Sequence, residues 1–268
     1  VPSLKVNGAS LHYEEQGTGA ETIVFAHGLL WSGRMFDHQV HALMDRYRCI
    51  TFDFRGQGQS EITASGYDMD TLTEDAAALI RALACAPCHF LGLSMGGFIG
   101  QRLAIRHPSL LKSLMLLETS ADPEPEENRG RYRLLNFIAR WFGIGWIADR
   151  VMPIMFGETF LKDPARAQEK ELWRQRLIAN DPIGISLAVQ GVVDRAGVYE
   201  QIHQITMPTL ILVGDQDVAT VATKSERMHQ QIRSSKLVVI HGAGHTSTVE
   251  EPEAVTTAIR KFLDQYNG

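Results

Sequence analysis

The sequence has little cysteine, no excess of either charge and no long apolar run, and each shortage removes a class of protein. Only three cysteines occur in 268 residues. An odd and small number leaves no disulfide framework and fits a reducing compartment, so the chain is expected in the cytoplasm. Two of the three form Cys85-Ala86-Pro87-Cys88. A redox C-x-x-C opens a helix, whose N-terminal field stabilises the thiolate; here the motif closes an expected helix and leads into a strand, and no second pair completes a zinc site. The spacing is therefore read as coincidence. Scattered along the chain, 26 Lys and Arg against 31 Asp and Glu give a net charge of −5, which lacks the basic footprint of a nucleic-acid partner. The most apolar stretches, 23–26 and 110–117, fall far short of the ~20 residues that span a bilayer. The opening VPSLKVNGAS has no basic start followed by an apolar core. Neither nucleic acid nor membrane is an expected partner, and export is not expected. No fixed-period repeat or low-complexity tract is visible.

What is present is core-forming material. With 44% hydrophobic and 21% charged residues, the chain can build one large domain with a subdomain. Short β-rich runs alternate with longer helical patterns, which is the pattern of βαβ units and a mostly parallel sheet. Strands are expected at KVNG, SLHYEEQG, TIVFAH, YRCITFD, HFLGL, LKSLMLLET, TLILVGD and LVVIHG. The first two, split by Asn7-Gly8, read as a hairpin. Helices are expected near 34–45, 69–84, 95–107, 222–232 and 252–266, placed on both faces of the sheet by right-handed crossovers. From about 121 to 199 the rhythm breaks. That stretch opens on the proline-bearing linker ADPEPEENRGR, shows only amphipathic helical pattern, and carries three of the four tryptophans. It is expected to be an inserted helical cap, residues 121–199, on a core made of 1–120 and 200–268.

Chemistry concentrates at Gly92-Leu93-Ser94-Met95-Gly96-Gly97, where an apolar strand ends and a helical pattern begins at once. This is the G-x-S-x-G nucleophile elbow. The strand-to-helix turn is so tight that bulk two residues before or after the serine would clash, hence Gly92 and Gly96. Ser94 is pushed out over the sheet edge, where the first amides of the helix, that of Met95 among them, can stabilise an oxyanion.

A serine hydroxyl is a poor nucleophile at neutral pH, so it needs a general base and an acid to orient that base. His245 follows the strand LVVI through a glycine-containing loop able to return an imidazole to the sheet edge, whereas His241 still belongs to the strand end. Asp215 and Asp217 both follow the strand TLILVG, at the carboxyl end where such sheets keep their active residues. Spacing does not separate the two acids, and either one can cap the helix expected near 222.

Together these features resemble the α/β-hydrolase superfamily over nearly the whole chain, including its order of Ser, then acid, then His. The resemblance implies an α/β-hydrolase fold: a mostly parallel sheet flanked by helices, with a cap between the sixth and seventh strands lying over Ser94. Members carry a His-Gly dipeptide after the third strand, matched by His27-Gly28-Leu29, and the Leu29 amide then supplies the second oxyanion donor beside that of Met95. Their D-x-R-G-x-G-x-S block is matched without a gap by Asp53-Phe54-Arg55-Gly56-Gln57-Gly58-Gln59-Ser60, read as a structural turn rather than a phosphate loop. Their G-x-x-D spacing, counted from Gly214, selects Asp217 as the acid. Gly242-Ala243-Gly244-His245 is similar to their G-x-G-H.

Relatives that break carbon–halogen bonds or epoxides use aspartate at the elbow, so a serine implies acyl chemistry. No H-x-H-x-D-H cluster of a metal-dependent lactonase occurs, and neither metal nor cofactor is expected. The run His245-Thr-Ser-Thr-Val-Glu-Glu-Pro252, with Val213-Gly214-Asp215-Gln216-Asp217 before it, is most similar to enol-lactonase and N-acyl-homoserine-lactone hydrolase members. The resemblance thus implies a serine hydrolase that cleaves a small-molecule ester or lactone, with an N-acyl-homoserine lactone as the first choice. An apolar tail would lie under the cap beside Trp31, Trp141, Trp146 and Phe156. Carboxylesterase, enol-lactonase, C–C hydrolase and perhydrolase are the enzymatic alternatives, and a butenolide-type receptor is the non-enzymatic one. A homodimer is compatible with the sequence.

Overall fold

A computed structural model describes residues 2–266. Its eight-stranded sheet begins with β1 (Ser3–Val6) and β2 (Ala9–Gln16), the antiparallel hairpin expected at Asn7-Gly8. Both turn residues have positive φ, 44° and 80°, the left-handed pair that a two-residue type I′ turn requires. Six further strands follow: β3 (Glu21–Ala26), β4 (Tyr47–Phe52), β5 (Cys88–Leu93), β6 (Leu111–Leu117), β7 (Thr209–Gly214) and β8 (Ser235–Ile240). They run parallel to one another, β2 pairs antiparallel with β4, and the spatial order is 1-2-4-3-5-6-7-8. β5 and β7 are buried at every residue, as strands covered on both faces must be.

The helices are α1 (Asp37–Leu43), α2 (Met69–Ala82), α3 (Met95–Arg106), α4 (Glu126–Phe142), α5 (Ala148–Met155), α6 (Glu158–Lys162), α7 (Ala167–Ile178), α8 (Pro182–Val193), α9 (Ala222–Gln231), α10 (Ser247–Glu250) and α11 (Pro252–Leu263). On one face of the sheet α2, α3 and α9 bury Leu72, Ile80, Ile99 and Met228. On the other, α1 and α11 bury Val40, Leu43, Ile259 and Phe262. The five core helices expected from sequence form within a few residues of their expected bounds. The four-residue α10 was not expected, because one turn is too short to show a period.

Between β6 and β7 the described chain is helical, α4 to α8, with no strand. Asp181 starts α8 by accepting the Ile183 and Gly184 N–H groups at 2.8 and 3.0 Å, with Pro182 in the first turn. Among the described residues no helix is long and apolar enough to cross a membrane.

Sheet order positions the chemistry. β3 has β4 on one side and β5 on the other, so the winding reverses between β3 and β5 and a crevice opens at their carboxyl ends. Leu29 follows β3, Ser94 follows β5, Asp217 follows β7 and His245 follows β8.

Candidate active site

At the end of β5 the backbone of Ser94 takes φ 52° and ψ −110°. Such a conformation costs a residue with a side chain about 1–3 kcal/mol and persists only where its surroundings impose it. Here the Ser94 N–H donates to the Leu117 carbonyl (2.9 Å), while its own carbonyl accepts the Thr119 hydroxyl (2.8 Å) and the Phe98 N–H (3.0 Å). A Cβ on Gly92 would lie 2.2 Å from the Gly96 carbonyl oxygen, and one on Gly96 would lie 2.0 Å from that of Ala26. Only glycine lets α3 leave β5 so abruptly.

Three side chains remote in sequence meet there. Ser94 Oγ lies 2.8 Å from His245 Nε2, and His245 Nδ1 lies 2.9 and 3.0 Å from the two carboxylate oxygens of Asp217. All three residues are buried. With a carboxylate against Nδ1, the ring carries its proton on that side and Nε2 is left to accept from the serine O–H. The Asp217 carboxylate also accepts the Ala219 N–H (2.8 Å), the Thr220 N–H (3.0 Å) and the Thr220 hydroxyl (2.6 Å). Burial alone would push its carboxyl up, but electrostatic attraction to His245 and the hydrogen bonds from His245 and Thr220 outweigh that and hold it below the usual range. The alternative pair forms elsewhere. Asp215 binds His241 at 3.0 Å, with the His241 side chain 88% exposed.

The N–H groups of Leu29 and Met95 have no acceptor among the described residues. Their loop is held by its neighbours. His27 Nε2 accepts the Phe54 N–H (3.0 Å), which puts the ring proton on Nδ1, donating to the Gly28 carbonyl (2.7 Å). Complete burial keeps this imidazole below its usual range, hence neutral. Leu30, at φ 75°, donates its N–H to Gln57 Oε1 (2.9 Å) and accepts Asn180 Nδ2 at its carbonyl (2.8 Å). The D-x-R-G-x-G-x-S block acts as scaffold: Asp53 accepts the Gly33 and Gln59 N–H groups, and Arg55 makes a buried two-point pair with Asp75 at 2.6 and 2.7 Å. None of its residues lines the cavity at Ser94.

That cavity has about 130 Å³ open to the centres of water molecules, with Ser94, His245, Leu29 and Leu30 at its base. Helices α4, α5 and α8 supply most of the wall, chiefly aliphatic, such as Leu135, Val151 and Val189. The four aromatics expected beside the substrate are not in it. Trp141 and Trp146 stand 67% and 77% exposed. For Trp141 the cause is helical phase: α4 turns Tyr132, Leu135, Asn136 and Ala139 inward, the i, i+3, i+4, i+7 stripe, and sends Leu134, Phe137 and Trp141 out. Trp31 and Phe156 are buried but pack edge to face at 5.8 Å, with Trp173 5.2 Å from Trp31. These aromatics join the helical insertion to the sheet. No group of three His, Cys, Asp or Glu that could hold a metal ion occurs among the described residues. The paired cysteines of the C-x-x-C, Cys85 and Cys88, are free and buried.

Residues 23–258 match the sequence pattern of the alpha/beta hydrolase family. The chain belongs to that family. It is 28% identical over 267 residues to 3-oxoadipate enol-lactonase 2 of Acinetobacter baylyi, covering 99% of this chain and 97% of that one. Among solved structures it resembles a thermophilic esterase from Thermogutta terrifontis at a TM-score of 0.93 and 29% identity, each chain covered completely. It also resembles the enol-lactonase from Burkholderia xenovorans LB400 at 0.91 and 28%, covering 98% of this chain and all of that one.

Two buried carboxyl groups of this alpha/beta hydrolase escaped the sequence reading. Glu250 Oε2 accepts the Gly157 N–H (2.7 Å) and the Gly244 N–H (2.9 Å), and Oε1 accepts that of Thr246 (3.0 Å). One side chain thereby holds both neighbours of His245 and the start of α6. Glu118, at the end of β6 with φ 41°, is wholly buried. Neither of its oxygens has a partner in hydrogen-bonding geometry, the Ser247 hydroxyl and Gly214 N–H being the polar groups that face it. Burial, with the nearby Asp217 and Glu250 carboxylates, pushes it well above the usual range and favours its uncharged form.

Burial likewise pushes the Glu250 carboxyl from an ordinary 4.5 to about 7. Between these values the folded state keeps a proton that the unfolded chain has released, so Glu250's contribution to stability falls as pH rises from about 4.5 to 7, by roughly 3 kcal/mol. Glu250→Gln should flatten that part of the urea-unfolding free energy against pH. It should also lower stability by about 1–3 kcal/mol, because its amide turns a donor toward backbone donors. An unchanged pH slope in the variant would exclude Glu250 as its source.

Proposed function

We propose that this alpha/beta hydrolase cleaves carboxylic esters and lactones through an acyl-enzyme on Ser94, with residues 121–199 acting as a cap over the reaction. The observation that carries the reading is the 2.8 Å contact between Ser94 Oγ and His245 Nε2, backed by Asp217 on the other ring nitrogen. His245 takes the hydroxyl proton as Oγ attacks the carbonyl carbon. The Leu29 and Met95 N–H groups receive the developing oxyanion. Asp217 keeps the imidazole in its productive tautomer and stabilises the imidazolium. The leaving alkoxide takes the proton from His245, which then activates water to release the acid and free serine. Similarity to an enol-lactonase and an esterase supports the acyl class.

The aliphatic cavity wall favours an apolar acyl portion, and a compact ring with an acyl tail, such as an N-acyl-homoserine lactone, is the substrate we place first. Three measurements test this reading. A short p-nitrophenyl ester should give a burst, and the trapped adduct should map to the peptide holding Ser94. Ranked kcat/KM values for linear esters, N-acyl-homoserine lactones and enol-lactones then decide among them, and a preference of several orders of magnitude for linear esters retires the lactonase choice. Hydrolysis that stops after a single turnover would favour a receptor over an enzyme.

A further inference from the structure

Arg195 follows α8 and lines the same cavity as Ser94 and His245, yet it is only 5% exposed. Its Nη1 donates to Glu124 Oε2 (2.9 Å) and to the Val192 carbonyl (2.8 Å). The guanidinium lies 4.1 Å from the centroid of the Phe98 ring, one turn of α3 beyond Ser94. Its Nε–H has no partner. A buried donor left bare is unfavourable, and the residue that carries it is one of the few polar residues lining a largely aliphatic chamber. A ligand oxygen reaching it would restore the missing bond.

Charge narrows the kind of oxygen. Glu124 pairs with Arg195, and both side chains are at least nine-tenths buried, so this end of the cavity offers a donor without net positive charge. An anionic group would meet the Glu124 carboxylate there and lose its hydration as well. A neutral carbonyl suffers neither penalty. Asn136 adds an unpartnered Oδ1 to the same cavity wall, its orientation set by Nδ2 donating to the Ser186 carbonyl at 3.1 Å.

We propose that Arg195 is a specificity residue whose Nε–H receives a neutral carbonyl oxygen, of a ketone or an amide, borne by the substrate's acyl chain away from the scissile bond. This rests on the reading of Ser94 as nucleophile in that cavity. A plain hydrocarbon tail leaves the Nε–H bare, whereas a tail with a suitably placed carbonyl covers it. Sites built around a buried polar group discriminate strongly against partners that lack its complement.

The test uses chain-matched p-nitrophenyl esters: unsubstituted, with a keto or amide carbonyl stepped along the chain, and with a terminal carboxylate. For the wild-type protein, one carbonyl position should raise kcat/KM by roughly 10- to 100-fold over the unsubstituted ester, and the carboxylate should give no such gain. In Arg195→Met combined with Glu124→Gln, which leaves no bare buried charge, the ratio should fall to about 1. A ratio taken on one preparation cancels partial misfolding, and if the double variant does not fold, the wild-type series decides alone. No gain at any position, a gain confined to the carboxylate, or a gain that survives in the double variant overturns the proposal. Calorimetry on Ser94→Ala separates the two readings, because it needs no turnover. Tighter binding of the keto or amide ester than of the plain one supports the Arg195 site even if Ser94 is not the nucleophile, and equal binding overturns it even if Ser94 is.

Discussion

Ser94→Ala is expected to lower kcat for any ester this protein turns over by about 10⁴- to 10⁶-fold, the scale on which triad nucleophiles act. The substitution removes the attacking oxygen, which lies 2.8 Å from His245 Nε2, and leaves that nitrogen no hydroxyl to deprotonate. What survives is the pair of Leu29 and Met95 N–H groups and the binding of the acyl chain, which together sustain only a residual rate above that in water. The fold should survive, because alanine in place of serine keeps the backbone bonds to Leu117, Thr119 and Phe98 that impose the strained turn. Steady-state kinetics beside a thermal melt therefore measure the chemistry rather than unfolding. Wild-type turnover in the folded variant would refute the acyl-enzyme mechanism.

The second large effect separates two buried acids. Asp217→Asn should cost about 10⁴ in kcat with little change in KM. Both Asp217 oxygens face His245 Nδ1. An amide presents its NH₂ to that nitrogen and drives the ring proton onto Nε2, where it points at Ser94 instead of accepting from it. Glu118→Gln should change kcat by less than about tenfold, since neither Glu118 oxygen has a hydrogen bond to the imidazole. Equal losses in the two variants would mean that both carboxyl groups orient the base. The acids also differ in their linkage to pH. The Asp217 carboxyl is held below its ordinary 3.8, so its contribution to stability is complete above that value and is lost as pH falls further. The Glu250 contribution runs the other way, falling as pH rises toward about 7.

Much of this architecture is written locally. The hairpin needs two residues at positive φ, and Asn7-Gly8 names them. The elbow needs room on either side of one serine, and Gly92 and Gly96 state that within five residues. Strand and helix periods extend over a single element, so the core elements were legible to within a few residues. The choice of Asp217 over Asp215 came from family spacing, and the structure leaves Asp215 with the exposed His241.

Other features depend on which elements meet, and no local period reports that. Glu250 lies in a stretch read only for its likeness to lactonases, and its carboxylate is defined by N–H groups at 157, 244 and 246. Arg195 shows one more charge after a helix until Glu124, Phe98 and the cavity close around it. The aromatic content of the insertion predicted pocket walls at Trp141 and Trp146, but an aromatic side chain gains from packing against any apolar neighbour and carries no label for the side its helix will present.

The sequence by itself therefore determined the sheet, the serine turn and the order of the three polar side chains, because each is a requirement met within one element or its immediate flanks. Only the tertiary structure decided which face of α4 looks onto the cavity, which buried carboxylate braces the histidine loop and where the cavity turns polar. Those outcomes depend on contacts between distant segments, such as Glu250 with Gly157 and Arg195 with Glu124, where burial and unmet hydrogen bonds arise from the packing.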